Sequence, residues 1–323
     1  MRGCFAAIVV FVMLGAPAQA QNYPDRPVKI ITDSAPGSAT DTTARLTAER
    51  LSQIWGHQVV VENRPGANGS LAVRAAMSAA PDGYTLYVAP TFNFIAPEGV
   101  APNLPIELPR DFTQIGFMTM LPMFIAVSPK IGVKSLPELI AVAKQKPGKL
   151  SYAATGRGRI TNLTMELLQK RADIKLQMVP YTGGPAAAMS DLATGRVDVV
   201  LDGYSGLAGG LSSGLIRAIA VASPDRLNDF KDLPTVAETL PDFLAGGWNV
   251  LLAPVGTPDG VVEKISIDLR KALDDTSVKS KLAALGVYVR SMTPAEVQKF
   301  VQEQQATWRP ITEKVAKEIA AGK

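Results

Sequence analysis

An alternation constrains this chain most. Short apolar runs of strand length give way, repeatedly, to segments with helical spacing, and small polar turns join the two. Val28–Ile31 reads as a buried strand. After it Ala44, Ala48, Leu51 and Trp55 recur at helical steps, with Arg45, Glu49, Arg50 and Gln53 between them, which predicts an amphipathic helix. Gly56 stands where its left-handed C-terminal cap belongs. "QVVVEN" is a second strand, "GSLAVRAAMSAA" a second helix stopped by Pro81-Asp82-Gly83, and "YTLYVAP" a third strand. A β-α-β-α-β order implies parallel strands, and a parallel sheet needs helices on both faces.

Between Pro90 and Pro109 the rhythm breaks into a Pro-rich loop. It resumes with the strand "FIAVSP", a helix from Leu136, a Lys146-Pro147-Gly148-Lys149 turn and the strand "LSYAA". A helix from Thr161, the strand "LQMVP", a helix from Pro185 and the strand "VDVVLDG" follow. Beyond "GGWNVLLAP" the chain reads as helices over 258–275, 277–285, 294–307 and 309–321. The expectation is an α/β protein of two domains, 21–122 plus 248–323 and 123–247, with the chain crossing between them near residues 122 and 248.

Residues 1–20 read as a secretion signal. Arg2 supplies the positive start, Phe5–Leu14 an apolar stretch too short to span a bilayer, and Ala18-Gln19-Ala20 a cleavage motif. The mature chain is expected to begin at Gln21, in the periplasm. Cys4 is the one cysteine and leaves with the signal, so neither disulfides nor thiolate metal sites can hold the fold. The formal charge of +4 falls by one when Arg2 is removed, and no basic run is dense enough to suggest nucleic acid. The single histidine, His57, follows the cap Gly56, and no Gly-x-Ser-x-Gly elbow accompanies it. One histidine also excludes a His-rich metal centre. "GRGRIT" has Thr161 where a dinucleotide loop needs its third glycine. No cofactor and no metal is expected.

Five loops share one position. "TDSAPGSATD", "VAPTFNF", "AATGRGRITN", "VPYTGGPAA" and "VLDGYSG" each follow a predicted parallel strand. Open α/β sheets place ligand crevices at such carboxyl ends, and two facing crevices make a cleft between domains. Small residues let the backbone approach a ligand closely. A helix N-terminus adds unpaired N–H groups and partial positive charge, which favours an anion. On these loops Ser34, Thr91, Phe92, Asn93, Tyr181, Asp202 and Tyr204 are candidate ligand contacts; Phe94 and Trp248 lie nearby. Asp202 is suited to accept from a ligand amine or hydroxyl, or to cap its own turn.

Through "YPDRPVKII", "APGSATD", "VVVENRPGANGSLA", "APDGYTL", "KPGKLSYAATGRG", "VPYTGG", "GRVDVVLD", "LPTVAE" and "LLAPVGTP", the chain resembles the periplasmic solute receptors of the tripartite tricarboxylate transporter family, the Bug receptors. The resemblance runs from Tyr23 almost to the C-terminus. It implies a two-domain Venus-flytrap receptor that closes on a carboxylate-bearing solute and delivers it to integral-membrane transporter subunits. A dicarboxylate or an aromatic carboxylate is favoured. The receptor would be a monomer and no enzyme. A ligand sensor or accessory protein without a transporter is the alternative; a periplasmic hydrolase would have to use His57.

The family pins one carboxylate with backbone N–H groups and ordered waters from two loops. Carried over, these are Gly37, Ser38, Ala39, Thr40 and Asp41, and the segment Thr155 to Asn162, including Gly156, Arg157, Gly158 and Arg159. The chain departs from the family pattern in four places. Asp33-Ser34 stand where Pro-Phe is usual, and Ser38 where a second glycine is usual. Thr155-Gly156-Arg157-Gly158-Arg159 replaces a Ser-Gly-Asn-Gly-Ser-like loop, and Asn162 takes a histidine's place. Guanidinium groups bind carboxylates bidentately, so at least one of Arg157 and Arg159 is expected to hold a second acidic group of the ligand; the other reading is that both are solvated loop charges.

Overall fold

The structure is a computed structural model describing residues 23–100, 103–181 and 183–321. The expected signal segment 1–20 and its cleavage site lie outside the described residues. Strands β1 (Val28–Thr32), β2 (Val59–Asn63) and β3 (Thr85–Pro90) pair in parallel in the order β2-β1-β3. Helices α1 (Ala39–Trp55) and α2 (Ser70–Met77) connect them and cover opposite faces. Ala44, Ala48 and Leu51 of α1 pack with Val28, Ile30, Leu86 and Val88. Ala72, Val73 and Ala76 of α2 pack with Ile31, Tyr87 and Ala89. Alternate strand residues thus serve different cores, as a sheet covered on both sides demands. Gly56 caps α1 in the left-handed region, φ 68°, as expected.

The short α3 (Phe92–Ile95) leads towards β4 (Phe112–Val127), a strand of 16 residues. Next come α4 (Leu136–Gln145), β5 (Ser151–Ala154), α5 (Ile160–Ala172), β6 (Gln177–Pro180), α6 (Met189–Thr194), β7 (Val199–Gly203), α7 (Tyr204–Ser212) and β8 (Arg217–Ala222). The chain returns through β9 (Gly246–Pro254) and ends in α8 (Asp259–Asp274), α9 (Thr276–Ala283), β10 (Tyr288–Val289) and α10 (Pro294–Ala320).

Strand β4 joins two mainly parallel, helix-covered halves. Its first part pairs antiparallel with β9, up to Pro122 opposite Gly246. Its second part, Met123–Val127, pairs antiparallel with both β7 and β8. Because β9 is antiparallel to β3 and β4 alike, β4 runs in the direction of β1–β3. Strands β5, β6 and β7 are mutually parallel and oppose β4. The carboxyl ends of both sets therefore face each other across the middle of β4, where Met123 lies opposite Gly203, the last residue of β7.

Several elements differ from the sequence expectation. The strand read as "FIAVSP" is the end of β4, which begins at Phe112, just past the Pro-rich loop, in a stretch to which the sequence assigned no element. It is buried on both faces along most of its length, so no alternation marks it. Helices α3 and α7 and strands β8 and β10 were not expected. The two C-terminal helices are one: α10 continues through Pro310. A Thr293–Glu296 capping box starts it, and buried Trp308, Ile311 and Val315 hold it on both sides of the proline. Its last turns reach α5, where Lys314 Nζ donates to Glu166 at 2.7 Å. No helix among the described residues is long and apolar enough to cross a membrane.

Candidate functional site

A cleft of about 700 Å³ opens where the two sets of strand ends meet. Asp33, Ser34, the Gly66–Gly69 loop, Pro90 and Phe92 line it from the first half. Thr155, Arg159 and Ile160 line it from the second. Of the expected contacts, Ser34, Phe92, Thr155 and Arg159 are therefore brought together.

The second wall is the amino end of α5. Arg159 is its N-cap residue and makes no side-chain capping bond. Asn162 accepts from the Gly158 N–H at 2.9 Å and donates to the Tyr152 hydroxyl at 2.8 Å. Thr161 accepts from the Thr155 N–H at 3.1 Å. Asn162 is thus a buried brace beneath the loop rather than a cleft contact. Glycines shape the turn: Gly156 and Gly158 have φ of 141° and 74°. The N–H groups of Ile160 and Thr161 meet no acceptor among the described residues, as the first turn of an uncapped helix leaves them. The two arginines part company. Arg157 donates to Glu318 on α10 at 2.9 Å. Arg159 lies 5.9 Å from the ring centroid of Phe92, across the cleft.

The other expected anion loop is differently occupied. Asp41 is almost wholly buried and accepts from the Gly37 N–H at 2.8 Å, Arg45 Nε at 2.9 Å and Asn63 Nδ2 at 2.7 Å. Burial opposes its charge, but the donors from Arg45, Asn63 and Gly37 together hold its pKa below the usual value. Ser38 accepts from the Asp41 N–H, and Thr40 donates to Asn249. Ala39 packs against the buried cluster of Val278, Leu282 and Val287. Gly37, Ser38, Thr40 and Asp41 therefore shape the β1–α1 loop through bonds among protein groups.

The remaining candidates lie behind the walls. Thr91 and Asn93 are buried, Thr91 against the Trp248 backbone and Asn93 between Tyr87 and Asp33. Tyr181 donates to Asp191 at 2.6 Å, and burial together with that bond pushes its pKa up to about 12. Tyr181, Asp202 and Thr155 border a small second cavity. Burial raises the Asp202 pKa to about 6, offset only in part by the Gly203 N–H at 2.7 Å. Tyr204 packs in an aromatic group with Phe124 and Phe230. Trp248 and Phe94 are core residues: the Trp248 ring lies tilted against Phe94 and Phe117 and meets Phe300 edge-on. His57 follows the far end of α1, about 25 Å of helix from the strand-end loops.

Asp33, Gly66–Gly69 and Pro90 were not among the expected contacts, whereas Ile160 falls within the expected Thr155–Asn162 segment. The carboxyl end of β2 was the strand end left out, although "RPGANG" carries the glycine signal of a shaped loop. Ala67 and Asn68 both adopt positive φ there, 45° and 54°.

Comparison with known proteins agrees with this architecture. The model of the tripartite tricarboxylate transporter family receptor matches residues 43–317. Protein BugT of Bordetella pertussis is 32% identical over 314 residues, covering 95% of this chain and 96% of that one. The structure of R. palustris Rpa4515 with adipate is similar with a TM-score of 0.73 at 29% identity, over 91% of this chain and 98% of that one. That of MatC (Rpa3494) from Rhodopseudomonas palustris with bound malate gives 0.70 at 30% identity, over 90% and 100%. A family match over most of the chain and a likeness of fold to such receptors lead to one assignment: the chain belongs to the tripartite tricarboxylate transporter family receptors.

Proposed function

We propose that this receptor binds a small carboxylate-bearing solute in the cleft at the waist of β4 and closes on it without chemically changing it. One observation carries the reading: the uncapped amino end of α5, with Arg159 at its N-cap, opens on the cleft between the two halves. A helix N-terminus carries roughly half a positive charge, and the Arg159 guanidinium adds a planar pair of donors. That combination suits a carboxylate. The adipate and malate of the two solved relatives are ligands of this class.

The moving bodies in this proposal are residues 21–122 plus 248–323 and residues 123–247. Crossings at Pro122–Met123 and just before Gly246 form the hinge, since few strands connect the halves there. The secretion signal read in residues 1–20 supports a periplasmic location. Membership of a transporter-receptor family supports delivery to membrane subunits by a monomeric receptor; a sensor would use the same cleft. The closed surface is what the partner reads.

A thermal-shift screen of aliphatic dicarboxylates, aromatic carboxylates and amino acids tests this proposal. Ligand at about a hundred times its dissociation constant stabilises by about 2.7 kcal/mol. Carboxylates should raise the melting temperature. A response confined to neutral sugars or cations would refute the carboxylate reading.

A further inference from the structure

Opposite the α5 wall the cleft presents a carboxylate, Asp33, which ends the loop-side extension of β1. Its position is built. Tyr87 and Asn93 are fully buried, and the Tyr87 hydroxyl donates to Asn93 Oδ1 at 2.6 Å. That bond leaves the Asn93 amide nitrogen to donate to Asp33 Oδ2 at 3.0 Å. Ser34 Oγ donates to the other oxygen at 3.3 Å. Gly69 makes room: a Cβ there would stand 2.5 Å from Asp33 Oδ2. Every partner in this arrangement is neutral. Desolvation raises the Asp33 pKa, with Asn93 and Ser34 offsetting only part of it and no cation contributing.

Closing the cleft on a ligand would take this carboxylate further from water. A buried charge without a counter-charge is strongly unfavourable, and a second ligand carboxylate beside it would add repulsion. A protonated nitrogen removes both costs. Arg159, the cation on the opposite wall, is suited to the ligand's own carboxylate.

We infer that Asp33 makes the cleft selective for solutes that carry a protonated nitrogen as well as a carboxylate, the carboxylate lying at α5 and Arg159 and the nitrogen at Asp33. This deepens, and rests on, the carboxylate reading above. The ligand class is then an amino-carboxylate, with simple diacids disfavoured by the charge already in the wall.

Calorimetric titration of the mature protein tests the inference with short straight-chain carboxylates, each with and without an α- or ω-amino group. The best amino-carboxylate should bind at least about tenfold more tightly than its amine-free counterpart, as expected for loss of one partner of a desolvated charge pair. Asp33→Asn keeps the shape and the bond from Asn93 but removes the charge. It should abolish that preference, bringing the ratio of the two affinities to about one. Equal or tighter binding of amine-free acids by wild type overturns the inference, even if the variant does not fold. So does a preference that persists in Asp33→Asn. Failure of every carboxylate to bind would instead refute the broader reading of the cleft.

Discussion

The Arg157 guanidinium donates to Glu318 at 2.9 Å and ties the β5–α5 loop to the last turns of α10, whereas Arg159, two residues on, faces the cleft and forms no ion pair among the described residues. The two arginines should therefore separate by mutation. Arg159→Ala should weaken binding of the best carboxylate by more than about tenfold, or about 1.4 kcal/mol. Arg159→Lys should not restore it, because lysine lacks the bidentate fork. Arg157→Ala should change affinity by less than about threefold, since a partly exposed pair contributes about 0–1 kcal/mol and only to stability. Calorimetry decides; equal losses in both variants would contradict the division of roles.

Asp41 should matter for stability more than for affinity. Its carboxylate gathers Gly37, Arg45 and Asn63 at one almost wholly buried point. Asp41→Ala leaves those donors without their acceptor and removes a charge from the first turn of α1. The expected loss is about 2–4 kcal/mol in urea unfolding. A variant as stable as wild type would show that this network is dispensable.

Gly69→Ala probes the first wall. Its φ of 97° is strained for any L-residue, and the added methyl would meet Asp33 and Asn93. A stability loss above about 1 kcal/mol is expected, with weaker ligand binding as Asp33 is displaced. Unchanged binding would mean that the wall does not touch the solute.

These residues show where sequence reading succeeds and where it stops. The helix at Ala44, Ala48 and Leu51 was legible because it buries one face and so leaves a period, whereas the first strand, buried on both faces, showed as a short continuous apolar run bounded by turn residues. The strand-end loops were legible because parallel topology dictates where they go. The first part of β4 was not, because a strand buried on both faces has no period and Gly116 and Pro122 interrupt it. In α10 the local rule for Pro310 lost to tertiary burial of its flanks. Side-chain direction was the least legible property. Nothing near Arg157 in the chain announces Glu318, and Asn93 meets Asp33 from 60 residues away.

Asp202 should leave a signature in stability against pH. An unfolded aspartate titrates near 3.8, and burial raises this one to about 6. The folded state favours the protonated form, so this group's favourable contribution is complete below the lower value. It is lost as pH rises through the upper one, by about 3 kcal/mol in all. Asp202→Asn has no such titration. Relative to wild type its stability should rise between about pH 4 and about pH 6 and level off above. A difference that does not vary with pH would contradict an isolated, desolvated carboxyl at this position.

The central claim is that two bodies joined through β4 and β9 close on a carboxylate. Small-angle X-ray scattering of the protein alone and with a saturating carboxylate, chosen by its thermal shift, tests this most directly. Closure of the cleft predicts a smaller radius of gyration and a shorter maximum dimension with ligand bound. Superimposable profiles at proven saturation would contradict it.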